Sequence, residues 1–323
     1  MSEWCGWPVV EETTVWESVQ ATLEAADLSD GLPLVPPTGR RLEAMVAGVA
    51  ARADSLGAMP PLFGDLSPEA IAYQCVIAGC RPAELRVVVA AAKATLDADF
   101  NLLGIATTTG TACVALCVHG PIARSLGINA GTNCLGPGSR ANASIGRALQ
   151  LTIRNIGGAR PEVGDMATMG QPGKYTFCFA ERSGGPFPTL TARRGLAADA
   201  DAVTVMGISG TAEILPGDGE GATPEAILSP IATAMRAAIV MSSMSRRNER
   251  GEQVFLLPPE MAEKIFRHNG WDLARIQRYL FEEGDGVARA PDAIHPILTG
   301  GAGVKMSYLP IWGGGSQMVT RAL

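Results

Sequence analysis

The chain has 323 residues, of which 47% are hydrophobic and 18% charged, with a formal net charge of −6. That balance describes a globular protein with a substantial core and excludes nucleic acid as the main partner, because phosphate binding needs a basic surface. Aromatic residues are only 5%, so the core rests on Ala, Val, Leu, Ile and Met. Residues 1–8 have no basic segment leading into an apolar signal core, and no run approaches the roughly 20 apolar residues of a membrane helix. A cytoplasmic protein without membrane contact is expected. The seven cysteines lack CxxC spacing, which fits reduced thiols rather than a disulfide framework.

In chain order, Thr14-Val15-Trp16-Glu17 reads as a capping box opening a helix to Ala26. Asp30–Thr38 is too proline-rich for a central strand and suits a ligand wall, with Asp30 and Thr38 as its polar residues, although Leu32–Val35 is short and β-rich. Ser67-Pro68-Glu69 caps a second helix, and Pro82–Leu96 reads as a buried helix. Strands are expected at Ile105–Thr109 and Ala112–Val118. Ser139–Ile156 is a helix closed by Gly157-Gly158. Further strands follow at Tyr175–Glu181 and Ala202–Ile208, then a helix from Thr223-Pro224-Glu225. Arg246, Arg247 and Arg250, diluted by Glu249 and Glu252, read as a solvated loop. Val254–Leu257, the helical pair Pro259–His268 and Asp272–Glu282, and a strand at Ile294–Thr299 complete the pattern.

Helices alternating with short strands predict an α/β fold with layered elements. A weak echo joins Leu34–Thr38 to Leu256–Glu260, and Thr109-Gly110-Thr111 to Thr299-Gly300-Gly301. It suggests two related α/β halves, residues 1–160 and 161–323, with glycine-rich loops closing the second.

The segment Asn129–Asn142 carries the strongest chemical signal. A glycine-rich loop runs into a helix start, where bare amides and the helix dipole attract anions. Arg140 stands in the first turn, a place electrostatically unfavourable for a cation unless an anion lies nearby. Asn133, Gly136, Gly138, Ser139, Arg140 and Asn142 are therefore expected to bind an anionic substrate; the alternative is a tight turn that lets loop and helix pack. Gly136–Ala141 formally matches G-x-G-x-x-A, but no hydrophobic strand precedes it and no acidic residue follows at the right distance, so no dinucleotide cofactor is expected. Cys134 lies inside this loop, where a neighbouring Arg and helix start would lower its pKa and make it a candidate nucleophile.

Alternation puts Cys113, Cys117 and His119 on one face of a strand, with Val114, Leu116 and Val118 on the other. The spacing matches no zinc motif, so no metal is expected. His119, at a strand end, is a candidate acid or base, or else a hydrogen-bonded structural histidine. In Gly170–Glu181, Tyr175, Phe177, Phe179 and Glu181 would share one face. Glu181 is a candidate for proton transfer, and Lys174 and Tyr175 are candidates for substrate binding; a sheet-edge lysine and a surface glutamate are the plainer reading. Gly300–Lys305 and Gly313–Ser316 frame Tyr308 and Trp312 and could form a lid.

Four of these segments, Asp30–Thr38, Asn129–Asn142, Gly170–Glu181 and Gly300–Gly315, together resemble a bacterial family with DGLPxxPPT, NAGxNxLGPGxRAN and GQPGKYTFCFAE motifs. The resemblance spans nearly the whole chain. It implies a smaller partner protein bearing a (seleno)cysteine-Gly-Ser-Cys motif, and a relation to two-protein aziridine-forming systems of natural-product pathways. On that footing the chain is expected to be one subunit of an enzyme that makes or breaks a carbon–heteroatom bond, by elimination or intramolecular substitution, with loss of an anionic leaving group. A cysteine-nucleophile hydrolase using Cys134 and His119 is the alternative enzyme. A non-catalytic binding or scaffolding partner is the alternative outside catalysis.

Overall fold

The computed structural model describes residues 2–217, 223–241 and 251–323; the arginine cluster at 246–250 lies outside them. Two four-stranded sheets form the centre. The first contains β5 (Cys113–His119), β6 (Cys178–Ala180), β7 (Ala202–Ile208) and β12 (Val319–Ala322). The second contains β8 (Ala212–Ile214), β9 (Gln253–Leu257), β10 (Ile294–Leu298) and β11 (Met306–Leu309). Two small hairpins lie apart from them: β1 (Ser2–Trp4) with β2 (Trp7–Val9), and β3 (Gly57–Met59) with β4 (Gly64–Leu66).

Alternation along the strands sets the layers. In β5, Val114, Leu116 and Val118 face one core, while Cys113, Ala115 and Cys117 face another. β7 divides the same way, Val203 and Val205 against Met206 and Ile208. The first core is completed by α1 (Trp16–Ala25), α2 (Gly39–Val46), α3 (Pro68–Ala78), α4 (Leu85–Thr95) and α7 (Arg140–Asn155), among other elements. The second core lies between the two sheets, where Phe179, Met206 and Ile208 meet Val254, Leu256, Ile297 and Leu309. On the far side, Phe255, Leu257, Ile294, Met306 and Tyr308 pack against α9 (Pro224–Met241), α10 (Pro259–Phe266) and α11 (Leu273–Glu283). The result is a four-layer helix–sheet–sheet–helix stack, an α/β architecture in which both faces of each sheet are covered. Three short helices, α5 (Leu102–Thr107), α6 (Pro121–Ser125) and α8 (Leu190–Arg193), lie in the connections.

The two sheets repeat one topology. β5 and β6 are parallel and β7 runs antiparallel to β5; β9 and β10 are parallel and β11 runs antiparallel to β9. Each unit then gives its next strand to the other sheet: β8 follows β7 but pairs with β11, and β12 follows β11 but pairs with β7. Ile208 and Ile311 bridge each other, flanked by reciprocal bonds from Ser209 N–H to the Pro310 carbonyl (2.7 Å) and from Trp312 N–H to the Gly207 carbonyl (2.9 Å). That pattern is the ordinary one of an antiparallel bridge, here joining the end of β7 to the residues just after β11. The line between residues 160 and 161 falls inside the first sheet, with β5 on one side and β6 and β7 on the other. The echo at Leu34–Thr38 is not the repeat, because that segment is a loop outside both sheets.

Several expected elements change. Ile105–Thr109 is not a strand: Asn101 caps α5, its side chain accepting from Gly104 N–H at 3.1 Å. The strand at Tyr175–Glu181 shortens to β6 because Pro172–Lys174 is a 3₁₀ turn. Leu32–Val35 forms no strand. At the start of α1 the cap is Val15, without a side-chain bond, so the Thr14 box does not form. Ser67, Ser139 and Asp272 do cap α3, α7 and α11.

Candidate functional site

The C-terminal ends of both parallel strand pairs converge. Arg182 N–H donates to the Leu298 carbonyl (2.7 Å), and Gly300 N–H donates to the Ala130 carbonyl (3.0 Å). The Thr299 hydroxyl donates to the Ala180 carbonyl at 2.8 Å, and Arg182 Nη1 to the Gly300 carbonyl at 3.2 Å. The repeat is visible here too: Glu181 N–H meets the Val118 carbonyl (3.1 Å) as Thr299 N–H meets the Leu257 carbonyl (3.2 Å). Carboxyl ends of parallel strands are where open α/β sheets place ligands. The two glycine-rich motifs, 129–138 and 300–303, thus share one corner, and a Cβ on Gly301 would press into Thr132.

A groove of about 970 Å³ opens on that corner, lined by Arg81, Arg124, Arg140 and Arg182, by Gly127–Thr132 and by the start of α7 at Pro137–Ala141. Among the described residues the only acidic one in the lining is Glu181. Its carboxylate turns inward, with the side chain 1% exposed. The Asn142 N–H in the first turn of α7 is taken by the Ser139 cap; those of Arg140 and Ala141, which line this wall, have no intrahelical acceptor.

The structure reassigns most of the expected site residues. The anion beside Arg140 is the protein's own: its guanidinium holds the buried Glu84 carboxylate through both Nη atoms and also donates to the Gly79 carbonyl. Asn142 is 4% exposed and all its bonds are internal. Its Oδ1 accepts from Asn129 N–H and the Ser139 hydroxyl (2.7 Å each), and its Nδ2 donates to the carbonyls of Asn129 and Cys134. Asn133, in a left-handed conformation, donates to the Pro137 carbonyl at 2.7 Å, and Gly136 is glycine because a Cβ would meet the Asn133 amide. These amides shape the loop rather than point at a ligand. Gly138 and Ser139 do line the groove. Thr38 caps α2 and is 2% exposed, away from the groove.

His119 and Glu181 form a buried pair, Nδ1 to Oε2 at 2.8 Å, with side chains 2% and 1% exposed. His119 Nε2 meets the Thr204 hydroxyl at 2.8 Å, and Glu181 accepts Leu190 N–H at 3.0 Å. Both ring nitrogens are engaged, so the pair fixes the strand ends and α8 and presents no proton to the groove. Cys134 is 7% exposed. Burial pushes its thiol up, against the opposing pull of the Thr299 hydroxyl and the N–H groups of Cys134, Gly300 and Leu135. The expected lowering fails because burial outweighs these hydrogen bonds. Lys174 pairs with Asp165 at 2.5 Å and, with Tyr175, lines a second cavity at the other end of α7, about 15 Å along the helix.

Sequence reasoning missed Arg81, Arg124, Arg182 and Thr299. The available signal was position: Arg182 and Thr299 each follow the last residues of a parallel strand. Among the described residues no group of three or more His, Cys, Asp or Glu is placed to hold a metal ion, and no helix is long and apolar enough to cross a membrane. Comparison with protein families, with characterised proteins and with solved structures finds no match.

Proposed function

We propose that this chain is a subunit of an enzyme that acts on a small polar anionic substrate in the arginine-lined groove. The carrying observation is the convergence of Arg81, Arg124 and Arg182 and a helix start, beside the Arg140–Glu84 pair, on a groove whose lining carboxylate among the described residues is turned inward. Such a wall stabilises negative charge that develops on a leaving group, which is what elimination or intramolecular substitution at a carbon–heteroatom bond requires. The motif resemblance gives the same chemistry its concrete form, aziridine closure with departure of an anion such as sulfate. It also supplies the smaller partner protein.

A partner is further supported by exposed apolar side chains at Leu62 and Phe63 and at Val163, Met166 and Met169. These two segments adjoin, since Leu62 N–H donates to the Gly157 carbonyl and a Cβ on Gly164 would press into Pro61. The test is a thermal-shift panel of sulfate, phosphate, carboxylates and O-sulfated amino alcohols on wild type, Arg124→Ala and Arg182→Ala. A ligand at 100 times its dissociation constant stabilises the fold by about 2.7 kcal/mol. The reading predicts a response to the sulfated compounds that both variants blunt, and sulfate release once the partner is added. A response unchanged in both variants, or none with or without the partner, refutes it.

A further inference from the structure

The second cavity has its own chemistry. It measures about 580 Å³ and lies under the start of β5, between α5, the second half of α7 and the 159–175 segment. Its walls are largely apolar: Leu102, Ile105, Val114, Leu151, Ile153 and Met169 contribute. A cavity of this size and lining, with a few fixed polar groups, is the usual form of a small-molecule site.

The charged groups that line it are Asp30, Arg154, Asp165 and Lys174, two of each sign. All four are already paired, Asp30 with Arg147 (2.7 Å), Arg154 with Asp27 (2.9 Å) and Lys174 with Asp165 (2.5 Å). A charged ligand entering here would lose its hydration and find no free counter-charge. Burial pushes the Cys113 thiol up to about 12, so that group is neutral as well.

Two glutamines and the half-exposed Tyr175 hydroxyl supply the remaining side-chain polarity. Gln150 Nε2 donates to the carbonyls of Val114 (2.8 Å) and Gly173 (3.4 Å). Gln171 Nε2 donates to the carbonyls of Ile208 (3.2 Å) and Thr111. Both hydrogens of each amide are consumed, so the orientation of each side chain is set by the backbone. Each Oε1 accepts no hydrogen bond among the described residues, which leaves two acceptor oxygens and no amide donors.

We infer that this cavity is a binding site for a neutral, mainly apolar molecule that presents N–H donors, such as a carboxamide. Its lining rejects anions, whereas the groove at the other end of α7 attracts them, so the two sites take different ligands and the inference stands independently of the proposed reaction.

The test uses the full chain and ligand-observed NMR with benzamide, hexanamide and acetanilide, against benzoate and methyl benzoate. Benzoate has nearly the same shape as benzamide with a charge and no donor, and methyl benzoate is neutral with no donor. At least one amide should bind saturably, and benzoate and methyl benzoate at least ten-fold more weakly. Ala167→Phe, which fills the cavity from an irregular segment, should weaken amide binding at least ten-fold; its circular dichroism and melting midpoint without ligand verify the fold. Gln171→Leu, which removes one acceptor, should reduce the preference for amides if the protein folds, and Ala167→Phe decides the matter if it does not. Equal binding of benzamide and benzoate, amide binding indifferent to Ala167→Phe, or no binding by all three amides overturns the inference.

Discussion

Replacing Arg140 by alanine separates a structural cation from a ligand-binding one. The Glu84 side chain is 1% exposed, and Arg140, 38% exposed, is its partner in the only ion pair recorded for it among the described residues. Glu84 also accepts Arg81 N–H at 2.8 Å, so one bond survives the substitution. Stranding a buried carboxylate costs about 3–5 kcal/mol, and the partial exposure of the pair argues for the low end, about 3 kcal/mol. For a chain of this size that corresponds to a fall in melting midpoint of about 4 °C. Removing both charges in Glu84→Leu/Arg140→Met should recover most of the loss, because the penalty belongs to the unpaired charge rather than to the missing bond. Scanning fluorimetry with urea titration on the single and double variants reads this directly. If Arg140→Ala stays within about 0.5 kcal/mol of wild type yet loses the sulfate response, Arg140 faces the ligand and the Glu84 pairing is wrong.

Burial pushes His295 below its ordinary value of 6.5 despite Glu252 beside it. The unfolded chain then binds a proton that the folded chain refuses, so stability falls as pH drops below 6.5. His295→Asn should remove up to about 1.4 kcal/mol per pH unit from that slope, measured as midpoint against pH between 7 and 5; an unchanged slope contradicts the assignment. For Glu252, burial raises the carboxyl, but His295, Arg194 and Met318 N–H outweigh it and hold it at about 2. Its stabilisation is present above pH 4.5 and is lost as the pH falls toward 2, a second acid step that Glu252→Gln should abolish. Gly120 sits at φ +84°, and a Cβ there would press into the Ala200 carbonyl. Gly120→Ala should therefore destabilise by more than about 1 kcal/mol, and a neutral result in the same melt would mean that the turn relaxes. Phe179 fills the space between the sheets with no exposure. Phe179→Ala should cost about 3–5 kcal/mol in urea, and a loss under 1 kcal/mol would argue against the sheet-on-sheet core.

Helices alternating with short strands made the α/β layering legible, and period-two patterning in Cys113–His119 marked the two faces of β5, both of which are buried. Helix starts were legible where a hydroxyl or carboxylate precedes the helix, as at Ser67, Ser139 and Asp272. Ile105–Thr109 was ambiguous for a physical reason: a short apolar run fits a strand or a buried helical turn, and the cap that decides it is Asn101 in a left-handed conformation. The site shows the deeper boundary. The argument that a cation in the first turn of α7 requires an anion was sound, but the anion is Glu84, 56 residues upstream. Its identity depends on how α4 and α7 pack. The asparagines read from sequence as loop-forming or ligand-facing, and the choice between those roles turns on carbonyls that only the closed loop provides. What sequence position does encode is the residue after each parallel strand. The internal repeat makes Glu181 and Thr299 topological equivalents, one spent on holding His119, the other beside Cys134 at the convergent corner. Two copies of one strand-end position have therefore become two different buried clamps, Glu181 on His119 and Thr299 on the Ala180 carbonyl, which places the search for chemistry on Arg124, Arg182 and the loop that line the groove between them.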